Sequence, residues 1–90
     1  MKIKVSMDLR KEYDSMWMGA MLDFTLEFQE EYPFLPPTVK CTTPVYHPNI
    51  DGDGNVWLNM LTRSQWNPKS DISDVLRSLY VLFVEPDENA

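Results

Sequence analysis

Three stretches of this chain hold residue types that can do chemistry: Cys41, the run His47-Pro48-Asn49-Ile50, and the run Asp51-Gly52-Asp53-Gly54-Asn55. A cysteine is a nucleophile once it ionises. Cys41 lies in Thr38-Val39-Lys40-Cys41-Thr42, whose alternation reads as a strand, so Lys40, the adjacent cation, faces the other way. That placement predicts a buried structural thiol. A histidine can serve as general base or metal ligand, but His47 is the only one, with no second histidine or nearby cysteine to share a metal. A hydrogen-bonded structural imidazole is the reading that follows. Asn49, beside a turn, is expected to satisfy backbone groups locally. The aspartate run starts like a calcium loop, but Val56 stands where the sixth-position glycine is needed and Thr62 where the closing glutamate is needed. It reads as a turn. No metal and no cofactor are expected.

Elements must hold these residues in place. Ile3, Val5 and Met7 alternate with Lys2, Lys4 and Ser6, a half-buried first strand; Asp8 to Ser15 reads as turn or loop. Leu22, Phe24, Leu26 and Phe28 alternate with Asp23, Thr25 and Glu27, which puts four apolar side chains on one sheet face. Tyr32-Pro33-Phe34-Leu35-Pro36-Pro37 is excluded from helix by its prolines. Thr38 to Thr42 gives a third strand, and Pro44 to Gly54 a long loop. Ile72, Val75, Leu76, Leu79, Leu82 and Phe83 fall at helical spacing, with Ser70 or Asp71 as cap, Asp74 suited to the dipole and Pro86 as the stop. Tyr13, Met16, Trp17, Met18 and Met21 form an aromatic and sulfur-rich patch whose default role is core packing. The fold class is α+β: an antiparallel meander of three or four strands with one main helix packed on it, a single domain over residues 1–90.

The formal net charge is −6 and the pI about 4.5. That excludes a phosphate-backbone partner and an anionic membrane surface, so neither nucleic acid nor membrane is expected. With one cysteine there is no internal disulfide or cysteine-based metal site, which fits a reducing compartment. Met1-Lys2-Ile3-Lys4 leads into alternation rather than an apolar run, so no signal peptide is read. The expected location is cytoplasmic and/or nuclear.

The order and spacing of Tyr32-Pro33-Phe34-x-Pro36-Pro37, Tyr46-His47-Pro48-Asn49-Ile50, Gly54-Asn55-Val56-x-Leu58, Trp66-x-Pro68 and the helix from Ile72 resemble the core of ubiquitin-conjugating enzymes. Val39-Lys40-Cys41, Leu58-Asn59-Met60-Leu61 and Leu82-Phe83-x-Glu85-Pro86 look most like the carrier enzymes of neddylation. The resemblance implies a structural role for His47, bracing the active-site loop from inside. It implies that Asn49 donates its side-chain amide to the oxyanion formed when a lysine attacks a thioester. Phe34 and Pro68 would form the apolar spot that docks RING-type ligases.

Departures from the family pattern are as informative. Trp57 stands at the place of the reactive cysteine, and indole offers no nucleophile comparable to a thiolate. Ala90 falls at the family's acidic helper, and Lys69 replaces the small residue usual beside Pro68. The first and the last two family helices have no counterpart. The resemblance therefore implies a truncated fold of this type acting as a catalytically inactive binding or scaffold module, similar to the ubiquitin-conjugating-enzyme variants. Trp57 would then be either a binding platform or a plug in the groove. Partners would be ubiquitin or a ubiquitin-like protein, an active carrier enzyme or a RING-type ligase. The alternative is the core of a neddylation or ubiquitin carrier transferase altered at its cysteine. An active carrier using Cys41 is a third reading.

Overall fold

The computed structural model describes residues 1–9 and 21–84. Three strands form one antiparallel sheet in the order β1-β2-β3: β1 (Lys2–Asp8), β2 (Met21–Glu27) and β3 (Thr38–Cys41). The register pairs Ile3 with Leu26, Val5 with Phe24 and Met7 with Leu22, and Phe24 in turn with Cys41. Met1 and Phe28 exchange both backbone hydrogen bonds, at 3.2 and 2.8 Å. Antiparallel ladders alternate bonded and non-bonded pairs. Ile3, Val5 and Met7 therefore point their backbone groups at β2, and Lys2, Lys4, Ser6 and Asp8 point theirs outward.

Period-2 patterning sorts the faces as expected. Leu22, Phe24, Leu26, Phe28, Val39 and Cys41 are buried, and Ile3, Val5 and Met7 are half-buried against the same core. Lys2, Lys4, Asp23, Glu27, Thr38 and Lys40 line the solvent face. The expected loop from Asp8 to Ser15 needs correcting at its start. Asp8 closes β1, and Leu9 is fully buried, because the sheet alternation runs one residue further than its polar flank suggests. The rest of that loop, and Tyr13, Met16, Trp17 and Met18, lie outside the described residues; Met21 is exposed on β2.

Helix α1 (Ile72–Val84) covers the apolar face with Val75, Leu79, Leu82 and Phe83, all buried. Phe83 packs against Phe24 of the central strand, ring centroids 5.9 Å apart. Burial of each such side chain contributes roughly 1.5–3 kcal/mol. The helix starts with a reciprocal cap: the Asp71 carboxylate accepts the Asp74 backbone N–H and the Asp74 carboxylate accepts that of Asp71, both at 3.0 Å. Asp71 is thus the cap rather than Ser70, and Asp74 caps as well as facing the dipole. The proposed stop at Pro86, the acidic residues Glu85, Asp87 and Glu88, and Ala90 lie outside the described residues.

Candidate functional site

Residues 47–57 build the site from a small hairpin. Asn49 accepts the Trp57 N–H at its carbonyl (2.7 Å), Ile50 bridges Val56, and Asp51 donates its N–H to the Asn55 carbonyl (3.1 Å). The second arm of this hairpin continues the sheet beyond β3. Cys41 donates to the Gly54 carbonyl, Val56 donates to the Val39 carbonyl, and Lys40 bridges Asn55. This is the fourth strand of the expected meander, reduced to isolated bridges. It places Asn49 directly across from Trp57.

The tip of the hairpin is the aspartate run. The Asp51 carboxylate accepts the N–H groups of Asp53 and Asn55, each at 2.9 Å, and the Asn55 side-chain amide at 3.0 Å. Both oxygens are thereby engaged by local donors, as an Asx-type turn requires. The Asn55 side chain, then the backbone donors, hold the Asp51 carboxyl below the ordinary carboxylate range. A depressed folded-state pKa adds stability above the unfolded value, about 3.9, and loses it as pH falls through the folded one. Asp51→Asn, which keeps an acceptor but no charge, is expected to melt below the wild type near neutral pH. The gap should narrow as the pH falls below the unfolded value of about 3.9 and vanish once the folded-state carboxyl is protonated, read by thermal denaturation across a pH series.

The base of the hairpin is locked from inside by His47, the buried polar residue of the core, 6% exposed. Nδ1 accepts the Asn49 N–H at 2.9 Å, and Nε2 lies 2.9 Å from the Leu82 carbonyl oxygen. Because Nδ1 is an acceptor, the proton sits on Nε2, and the imidazole is neutral and donates to Leu82. Leu82 belongs to the last turn of α1, whose carbonyls lack helical partners. The ring also meets Phe83 edge-on at 5.0 Å. His47 thus ties the loop to the end of the helix.

Asn49 is half-buried and spends its side-chain amide on the Trp57 carbonyl, at 3.1 Å. Trp57 itself projects from the hairpin with 58% of its surface exposed, flanked by half-buried Val56 and buried Leu58. A short 3₁₀ turn, Asn59–Leu61, follows. Nothing in the spacing announces it, because three residues are too few to show a period. Cys41 is buried in β3 with its thiol 3.3 Å from the Thr43 carbonyl. Burial pushes that thiol up, and Asp23 adds to the effect against the Thr43 bond. It is a poor nucleophile in that setting.

A second cluster brings two loops together. The turn Glu31–Phe34 contains a cis Tyr32-Pro33 bond, and the turn Asn67–Ser70 is held by the Asn67 side chain accepting the Lys69 N–H at 2.9 Å. Buried Trp66 joins them: its indole N–H donates to the Pro33 carbonyl at 2.7 Å, and its ring lies 6.3 Å from that of Tyr32. Tyr32 in turn meets Phe28 edge-on. The loops present Phe34, 78% exposed, with Pro68 and Lys69, also exposed. Tyr46, 99% exposed beside the hairpin, carries no signal in the sequence that separates it from its neighbours. The groove of about 760 Å³ between Thr42–Tyr46 and Ile50–Gly54 is lined by neither Asn49 nor Trp57.

The chain matches the family model described as ubiquitin-conjugating enzyme over residues 2–90. It is 43% identical over 74 residues to the NEDD8-conjugating enzyme UBC12 of Eremothecium gossypii, a match that takes in 82% of this chain and 40% of that protein. The chain therefore spans about two fifths of that relative's length. Its structure superposes on the human ubiquitin-conjugating enzyme E2 G1 with a TM-score of 0.86 at 25% identity, over 94% of this chain and 70% of the other.

Proposed function

The chain belongs to the ubiquitin-conjugating enzyme family, and on that premise we propose that it is a catalytically inactive member, a binding or scaffold module in ubiquitin or ubiquitin-like conjugation. The observation that carries this reading is Trp57. The resemblance sets it at the position of the reactive cysteine, and indole cannot carry a thioester. The remaining sulfur gives no substitute, since the only cysteine, Cys41, is buried with its thiol ionisation opposed by burial. Asn49 fits the same reading, because the amide that would serve an oxyanion is donated to the Trp57 carbonyl. The exposed Trp57 indole and the exposed Phe34, Pro68 and Lys69 are the surfaces through which such a module would meet its partners: a ubiquitin-like protein, an active carrier or a RING-type ligase. The proposed setting is the cytoplasm and/or nucleus.

One observation favours a second reading. The 43% identity to a NEDD8-conjugating enzyme supports descent from a carrier whose cysteine has been replaced, within an otherwise competent scaffold. A thioester assay with activating enzyme, ATP and a panel of ubiquitin-like proteins separates the two. The wild type is expected to give no thiol-reducible adduct, and a reducible adduct on it would overturn both readings. An adduct on Trp57→Cys alone supports the altered carrier; none on either chain supports the module. Titration of labelled ubiquitin and of the neddylation modifier tests binding directly. Resonance shifts centred on Trp57 and its neighbours are expected, and no shift at about millimolar concentration removes direct modifier binding.

A further inference from the structure

We propose that the groove between the loop Thr42–Tyr46 and the hairpin tip Ile50–Gly54 docks a cationic peptide, a short segment in which a lysine or arginine stands beside an apolar residue. Neither Asn49 nor Trp57 lines this groove, so its occupancy does not depend on what Trp57 does. Its volume, about 760 Å³, lies within the roughly 300–1,000 Å³ of sites that hold small ligands. Both walls are fixed in advance. The Thr42 N–H donates to the Asp23 carbonyl at 2.8 Å, and the Thr43 hydroxyl oxygen accepts the Asp23 N–H at 2.8 Å. The hairpin tip is held by the Asp51 carboxylate through the N–H groups of Asp53 and Asn55. A preformed groove lowers the ordering cost of binding.

The lining selects the occupant. Pro44, half-buried Val45 and buried Ile50 supply apolar surface. Asp51 and Asp53 set two carboxylates along the hairpin wall, against the single ammonium of Lys40. Asp23 adds a negative charge behind the opposite wall, and its field reaches the Cys41 thiol that also lines the groove. The two wall carboxylates play different parts. Both Asp51 oxygens already accept local N–H donors, so Asp51 contributes charge. The Asp53 carboxylate is exposed and makes no hydrogen bond or ion pair with the described residues, so it can accept an incoming N–H. A metal ion is served less well, because among the described residues no group of three His, Cys, Asp or Glu side chains could hold one. Phosphates and acidic peptides are repelled by the same field. Lysine and arginine satisfy both halves of the groove: the methylene stem lies along the apolar surface while the head reaches Asp53.

The probe is an acetylated and amidated hexapeptide that alternates valine and lysine, titrated into the isotopically labelled chain up to about millimolar concentration. Amide resonances of Thr42, Thr43, Val45 and Asp51–Gly54 are expected to shift together and to saturate. The same peptide with glutamate in place of lysine should leave them unmoved. Asp53→Ala removes the exposed carboxylate and keeps the backbone donor of the turn, so it should weaken binding about threefold at an unchanged melting temperature. Asp53→Lys, which replaces attraction with repulsion, should weaken it about tenfold. Glu30→Gln, in the turn after β2, changes the net charge as much as Asp53→Ala does, and should alter the affinity less than about 1.5-fold. Shifts that spread over the acidic surface without saturating overturn the proposal. So do equal effects of Asp53→Ala and Glu30→Gln. Should neither Asp53 variant fold, the two peptides decide: equal binding of the lysine and glutamate forms, or of neither, overturns the cationic occupant.

Discussion

Gly54→Ala is expected to destabilise the chain by about 3 kcal/mol, whereas Gly52→Ala should stay within about 0.5 kcal/mol of the wild type. The two glycines flank Asp53 in the same turn, and the contrast comes from their surroundings. Gly54 has φ +89°, a conformation that side-chain-bearing residues adopt only with strain. A Cβ there would also collide with the carbonyl oxygen of Cys41 in β3. Relief of that collision requires the hairpin arm to move off the sheet. That movement strains the 2.7 Å bond from the Cys41 N–H to the Gly54 carbonyl and, beyond it, the Lys40–Asn55 and Val39–Val56 links. Gly52 has open space around its Cα and ordinary φ. For a domain of this size 3 kcal/mol is a large part of total stability and lowers the melting temperature by roughly 12–24 °C. Urea denaturation of both variants checks it. Equal midpoints for the two would show that the arm tolerates displacement from β3.

His47→Ala is expected to cost a similar amount, about 3 kcal/mol, through a different cause. The imidazole satisfies the Asn49 N–H and the Leu82 carbonyl, which lie 35 residues apart from ring to helix end in the second case. Removing it orphans both groups at a buried site, at roughly 1–3 kcal/mol each where water does not reach them, and forfeits the edge contact with Phe83. His47→Phe separates the terms. It retains an aromatic edge for Phe83 but cannot accept from Asn49 or donate to Leu82, so it should recover less than half of the loss. Chemical denaturation gives the stabilities, and amide exchange at Asn49 locates the damage. Full recovery in His47→Phe would show that packing, and not hydrogen bonding, is the function of the ring.

These two residues also mark what a sequence can and cannot disclose. Leu22, Phe24, Leu26 and Phe28 announce their strand because a period of two is local and strong, and the stripe from Ile72 to Phe83 announces the helix for the same reason. The solitary histidine suggested a hydrogen-bonded imidazole, but nothing in the sequence named its partners. A bond from residue 47 to a carbonyl on residue 82 is set by how the helix docks, which no local pattern encodes. The turn at Asp51 was readable from its composition, whereas the need for glycine at Gly54 rather than Gly52 depends on the approach of Cys41 from another strand. Leu9 was hidden by its polar neighbours Asp8 and Arg10. The grouping of His47, Asn49 and Trp57 as one site was implied by the family resemblance, not by any local pattern. The reciprocal bonds between Asn49 and Trp57 required the hairpin register.

The contrast between Trp57 and Trp66 supplies the molecule with an optical readout. Trp66 is buried and its indole N–H is bound to the Pro33 carbonyl, while Trp57 stands in solvent. In a Trp17→Phe background, iodide should quench the emission of Trp57 and leave that of Trp66, giving two resolvable fluorescence populations. A partner seated on the hairpin would shield the first from the quencher and shift its emission to the blue. Opening of the two proline-bearing loops would expose the second. Binding at the hairpin and loosening of the proline-bearing loops can then be followed in the same cuvette without attaching a dye.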